Sequence, residues 1–183
     1  MVSLVVLFWL FVFFFAIVGA MRGWAKELMV VFSIVLSLFL ITLLEQYIPL
    51  LKIKDGIVVN TKIEPETRFF IRAAIMCVSA FFGYQAPKIS IIAGPRFNRE
   101  RLQDGLLGIL LGAFNGYLLI GSLWFFMNNA QYPFKELISP PGNDPLGLAA
   151  LAMVKNMAPA FLVVPWIYFA VGLAFLFVII VFI

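Results

Sequence analysis

The chain has 183 residues, 64% of them hydrophobic and 12% charged, with a mean hydropathy of +1.08. Soluble domains run at roughly 45–50% apolar and about 25% charged, and so short a chain has no aqueous core large enough to hide the excess. The composition therefore excludes a water-soluble fold and implies lipid as the solvent. A net charge of +4 comes from 13 Lys+Arg against 9 Asp+Glu, grouped in short stretches between apolar runs. That grouping fits the positive-inside bias of membrane loops better than a nucleic-acid footprint, so no nucleic acid is expected as a partner.

Histidine is absent and Cys77 is the single cysteine. This excludes an intrachain disulfide, His/Cys metal sites, Ser-His-Asp and Cys-His triads and the zinc-protease helix motif. No phosphate-loop or dinucleotide glycine pattern occurs either. An enzyme is not expected, and no catalytic residue, cofactor or metal site is assigned.

The first apolar stretch, Met1 to Met21, has no charged side chain. At about 1.5 Å per residue it spans the roughly 30 Å hydrocarbon layer. Val18-x-Ala20 looks like a signal-peptidase site, but Met1-Val2-Ser3-Leu4 lacks the basic start of a signal peptide, so a retained helix is expected. Gly19-Ala20-Met21-Arg22-Gly23 reads as a tight helical hairpin. A second span follows over about 24–44, with Trp24 at the interface and Arg22 and Lys26 among headgroups.

Residues 45–67 mix Lys52, Lys54 and Lys62 with Glu45, Asp55, Glu64 and Glu66, and read as a water-facing loop with a short extended piece at Ile57-Val58-Val59. The third span is expected over about 69–86, with Arg68 and Arg72 four residues apart at its start. Arg72 is a possible polar intramembrane group, either an anion or proton-relay site or, the favoured expectation, an end-of-span arginine. As the latter it reaches headgroups or pairs with Glu64 or Glu66. Lys88, Arg96, Arg99 and Arg101 make the next connection strongly basic, with Gly94-Pro95 as a turn.

The fourth span, about 105–127, holds the sharpest pattern. Gly108, Gly112 and Gly116 repeat every four residues and form one strip, the arrangement that lets helix backbones approach closely in lipid. Packing within the chain or between copies is the expected use; a glycine-lined pore is the alternative. Asn115, beside the strip, either lines such a path or hydrogen-bonds a neighbouring helix. No span has an acidic residue near its centre, which argues against a proton- or sodium-coupled carrier.

Residues 131–183 read as a proline-rich loop, a short interfacial helix from Pro145 to Met157, and a C-terminal span from Ala160 to Ile183 that Pro165 kinks or opens. The expected fold class is thus all-α, a polytopic transmembrane bundle of four to five spans. Alternate connections carry six and seven Lys+Arg. The six lie in the shorter connections, where the charge rule works best, so the Arg22 and Arg96–Arg101 connections are placed in the cytoplasm and the N-terminus outside.

The stretch Gly19-Ala20-Met21-Arg22-Gly23-Trp24-Ala25-Lys26-Glu27-Leu28 resembles the first hairpin of the CvpA (colicin V production protein) family, with its Gly-x-x-Arg-Gly signature and Lys-Glu-Leu-like helix start. Arg101-Leu102-Gln103-Asp104 leading into Gly108, Gly112 and Gly116 looks like that family's second signature. The resemblance covers roughly residues 1–130, a CvpA-like membrane core. It lacks the acidic residue often found early in the family's first helix, and residues 131–183 extend the common four-span plan. The resemblance implies a multi-pass bacterial inner-membrane protein linked to colicin V or toxin production, secretion or envelope homeostasis. Its partners would be the bilayer and a protein partner or further copies of itself. The other expectations are a small oligomeric channel or permease and an accessory subunit of a larger membrane complex.

Overall fold

A computed structural model describes residues 3–48, 53–54, 57–58, 64–85, 98–136 and 138–182; the side chains at 53, 54, 57, 58, 98–101, 181 and 182 lie outside that description. The expected Gly94-Pro95 turn, the side chains of Lys52, Lys54, Lys62, Lys88, Arg96, Arg99 and Arg101, and the chain ends at Met1, Val2 and Ile183 also lie outside the described residues. Described elements are α1 (Leu4–Arg22), α2 (Trp24–Tyr47), β1 (Ile53–Lys54), β2 (Ile57–Val58), α3 (Pro65–Tyr84), α4 (Asn98–Asn129), α5 (Pro145–Val154), α6 (Ala158–Phe161) and α7 (Trp166–Phe182). β1 and β2 form a two-residue antiparallel ladder, Ile53 opposite Val58 and Lys54 opposite Ile57. The architecture is an all-α bundle.

Among the described residues, four helices are long and apolar enough to cross a membrane: α1, α2, α3 and the part of α4 from Leu102 to Asn129. Their outer faces carry large apolar side chains, such as Phe13 at 66% and Phe82 at 68% exposure, which water would not tolerate over so wide an area. The chain is a polytopic membrane protein. Along these four helices the backbone polar groups pair within the helix, as the hydrocarbon layer requires.

α4 is the central element, packed against α1, α2 and α3. α1 buries one stripe, Phe8, Val12, Ala16 and Gly19, and leaves the rest of its circumference outward. One core joins Val30, Ile34, Leu38 and Ile41 of α2 to Met76 and Ala80 of α3 and Leu118 and Phe126 of α4. A second gathers Phe8, Val12, Trp124, Met127, Tyr132, Val154 and Met157, seating α5 and the turn after it on the end of the bundle opposite the α1–α2 hairpin. Trp124 Nε1 donates to the Tyr132 hydroxyl at 3.1 Å there, so neither buried polar tip is orphaned.

Three expected boundaries need correction. α3 begins at Pro65 rather than near 69, because Glu64 takes the extended N-cap position and the proline ring is preset for a first helical turn. Arg72 is therefore well inside the helix and not within three residues of its end. The Pro145 helix stops at Val154, short of Met157: a continuous helix would press the Pro159 ring against the Lys155 carbonyl. For the same reason the last apolar stretch is not one span from Ala160. It divides into α6 and α7, with residues 162–165 non-helical ahead of Trp166. α7 has 17 residues, about 25 Å of helix against a hydrocarbon layer of roughly 30 Å. It runs antiparallel to α2, with Tyr168 bonded to Gln46 and Phe175 edge-on to Phe32.

Candidate functional site: a buried ion pair behind the helical hairpin

The α1–α2 connection is a single residue. Gly23 has φ 84° and ψ 159°, a backbone state open essentially to glycine. Its amide closes α1 on the Gly19 carbonyl at 3.0 Å, and its own carbonyl accepts from Glu27 N at 3.3 Å to start α2. A helix beginning at Gly23 has no side chain to cap it. The cap comes instead from α4: Asp104 Oδ1 accepts from Trp24 N at 3.1 Å. A Cβ on Gly23 would lie 2.7 Å from Asp104 Oδ2, so the missing side chain is what admits the carboxylate. Gly23→Ala is expected to lose about 1–3 kcal/mol from the strained dihedral alone and to displace Asp104 as well. Denaturant titration against wild type checks this, with Asp104→Asn separating loss of the carboxylate's charge from backbone strain.

Arg22 and Glu27 then face each other across the turn. Arg22 Nη1 donates to Glu27 Oε1 at 2.7 Å, and Arg22 Nη2 donates to the Tyr84 carbonyl at 2.9 Å. The guanidinium stacks 4.4 Å from the centre of the Tyr84 ring. Glu27 is fully buried, and its second oxygen is also used: Asn115 Nδ2 donates to Glu27 Oε2 at 2.8 Å and to the Glu27 carbonyl at 2.9 Å. The charges sit where helix dipoles favour them, Arg22 at the C-terminal ends of α1 and α3 and Glu27 in the first turn of α2. Four helices are thereby tied by one ion pair. The Tyr84 hydroxyl and Asn115 Oδ1 are buried without a hydrogen-bond partner among the described residues.

Immediately below, the glycine strip meets α1. Cβ atoms built on Gly19, Gly108 and Gly112 would fall 2.1 Å from the Gly108 carbonyl oxygen, 2.3 Å from the Gly19 oxygen and 2.4 Å from the Phe15 oxygen. Gly116 lies against Val12 and Phe15, so the strip is a contact within this chain. Comparison with protein-family models, curated proteins and solved structures finds no match. The site therefore rests on its own geometry.

Of the residues singled out from sequence, Gly19, Arg22, Gly23, Gly108, Gly112, Gly116 and Asn115 all come together here. Arg72 does not; it lies at the other end of the bundle, and its Nε pairs with Glu45 rather than Glu64 or Glu66. Sequence reasoning missed Glu27, which it named only within the Lys-Glu-Leu-like start of α2. Tyr84 and Asp104 were not assigned roles either. The usable signal was spacing: Glu27 follows Gly23 by one turn, so a hairpin at Gly23 turns it towards the residues it meets. Among the described residues no group of three or more His, Cys, Asp or Glu side chains could hold a metal ion.

Proposed function

We propose that the chain is a non-enzymatic, CvpA-like protein of the bacterial inner membrane that supports toxin production, secretion or envelope homeostasis through contact with a protein partner. The observation that carries this proposal is the junction of the two family-like segments. Gly19-x-x-Arg22-Gly23 and Asp104 with Gly108 and Gly112, 80 or more residues apart in sequence, form one interface. Each segment makes sense as the other's complement. Glu27 and Arg22 are spent on helix ends and on Asn115, which gives a rigid scaffold and not an open site for a substrate. The hairpin and the entry to α4 share one end of the bundle, and the density of basic residues in the connections there supports a cytoplasmic location for it.

A channel built around the glycine strip is less well supported, because α1 of the same chain already covers it. Purification from native membranes in mild detergent, followed by mass spectrometry, tests the proposal. A protein partner retained in fixed ratio by wild type and shed by Gly112→Leu is the expected result. A chain recovered only with copies of itself, conducting ions in liposomes, would overturn it in favour of the channel.

A further inference from the structure

α4 crosses the whole bundle, so positions along it give depth. Gly108 is level with the hairpin, since a Cβ on it would lie 3.3 Å from Gly23 Cα. Asn129, where α4 ends, is then about 32 Å away, at the far face of an ordinary hydrocarbon layer. Gly121 is only about 20 Å away. Met157 packs at that height, its Sδ 2.6 Å from a Cβ placed on Gly121. One helical turn nearer the hairpin, the Tyr117 hydroxyl donates to the Asn156 carbonyl. α5 therefore slopes inwards from Asp144, and the turn that ends it lies about 12 Å short of the far face.

That turn is polar and uncovered: Lys155 and Asn156 are both exposed. Beyond α6, Val163 and Val164 are non-helical and half-exposed, and their amides meet no acceptor among the described residues. Hydrocarbon tolerates neither a charge nor unanswered amides facing it. Snorkelling carries the Lys155 ammonium part of the way outwards and does nothing for Asn156. A separate measure agrees. α7 has 17 residues, about 25 Å of helix against a layer of roughly 30 Å. Tilting accommodates a helix that is too long; around one that is too short, the bilayer thins. We propose that the bilayer is thinned beside α5–α7, with headgroups drawn down to Lys155 and Asn156, and that this flank takes phospholipids with short acyl chains. Trp166, Phe169 and Leu173 give it the bulky, exposed, uncharged surface that lipid tails solvate.

The test uses the full-length protein in bilayers, with Cys77→Ser removing the native thiol and a nitroxide attached through Asn156→Cys or Leu10→Cys. Leu10 is exposed on α1, also about 20 Å from Gly23 along its helix. A water-borne nickel chelate is expected to relax the label at position 156, and lipid-dissolved oxygen the label at position 10. Oxygen-dominated relaxation at both positions overturns the proposal. Shielding of position 156 from both agents also overturns it, assigning the turn to a protein partner or a second copy. Wild type offered equal dimyristoleoyl and dierucoyl phosphatidylcholine, then re-extracted, should retain the short-chain lipid in severalfold excess. Lys155→Leu combined with Asn156→Leu, which leaves the backbone carbonyl for Tyr117, should reduce that excess. Equal retention by wild type overturns the proposal even if the labelled variants fail to fold, and so does an excess unchanged in the double variant.

Discussion

Gly19→Ala is expected to loosen α1 from the bundle more than any other single methyl addition in the chain. The new carbon would stand 2.1 Å from the Gly108 oxygen and 2.8 Å from the Gly112 Cα. Both obstacles are backbone, so no side-chain rotation relieves the clash and the helices must separate. Overpacking of this kind costs about 1–3 kcal/mol and occasionally more. Separation also removes the close backbone contacts on which helix association in lipid depends. Gly172→Ala is the control: nothing lies within 4 Å of its added carbon, and alanine is the better helix former. Unfolding in mixed micelles, followed by circular dichroism, should place Gly19→Ala and Gly112→Ala well below wild type and Gly172→Ala level with it or above. Equal stability of Gly19→Ala and Gly172→Ala would rule out the α1–α4 contact.

The second large effect is an asymmetry between the partners of the buried ion pair. Removing one member of such a pair typically costs about 3–5 kcal/mol, because the other is left charged and unpaired. Here the two survivors differ in their escape. Arg22 retains 19% of its side-chain surface and sits at the end of α1, so after Glu27→Gln it can turn towards headgroups. Glu27 is 0% exposed and is held by Asn115 besides, so after Arg22→Gln it has nowhere to go. Arg22→Gln is thus expected to be the more damaging change, and Arg22→Gln combined with Glu27→Gln should cost less than the two single losses added. The same unfolding titration, run as a double-mutant cycle, reads this directly. Equal losses for both single variants, adding in the double, would mean that the pair contributes nothing as a pair.

Uncharged runs of about twenty residues can only be helices in lipid, and so α1, α2 and α4 were legible in the sequence as spans. The glycine strip was legible as a packing face, because a four-residue period of glycine has few other uses. Its partner was not, since nothing in α1 apart from Gly19 advertises a smooth surface. Glu27 was obscured by its neighbours: beside Lys26 and Trp24 it has the look of a headgroup contact, and its burial follows only from where α3 and α4 stand. The partner of Arg72 was misjudged on proximity. Glu66 is six residues away, a spacing that falls on a different helical face, while Glu64 precedes the helix. Glu45, 27 residues distant, is brought beside it by the antiparallel packing of α2 and α3.

The cap on α2 has a consequence for biosynthesis. Its carboxylate acceptor lies 80 residues downstream of the amide it serves, so ribosomes complete α1 and α2 long before Asp104 exists. Until α4 arrives, the Trp24 amide must be answered by water or lipid, and Glu27 awaits Asn115. The opening hairpin is therefore an unfinished part during translation, and maturation ends only when a later segment slides in and closes it.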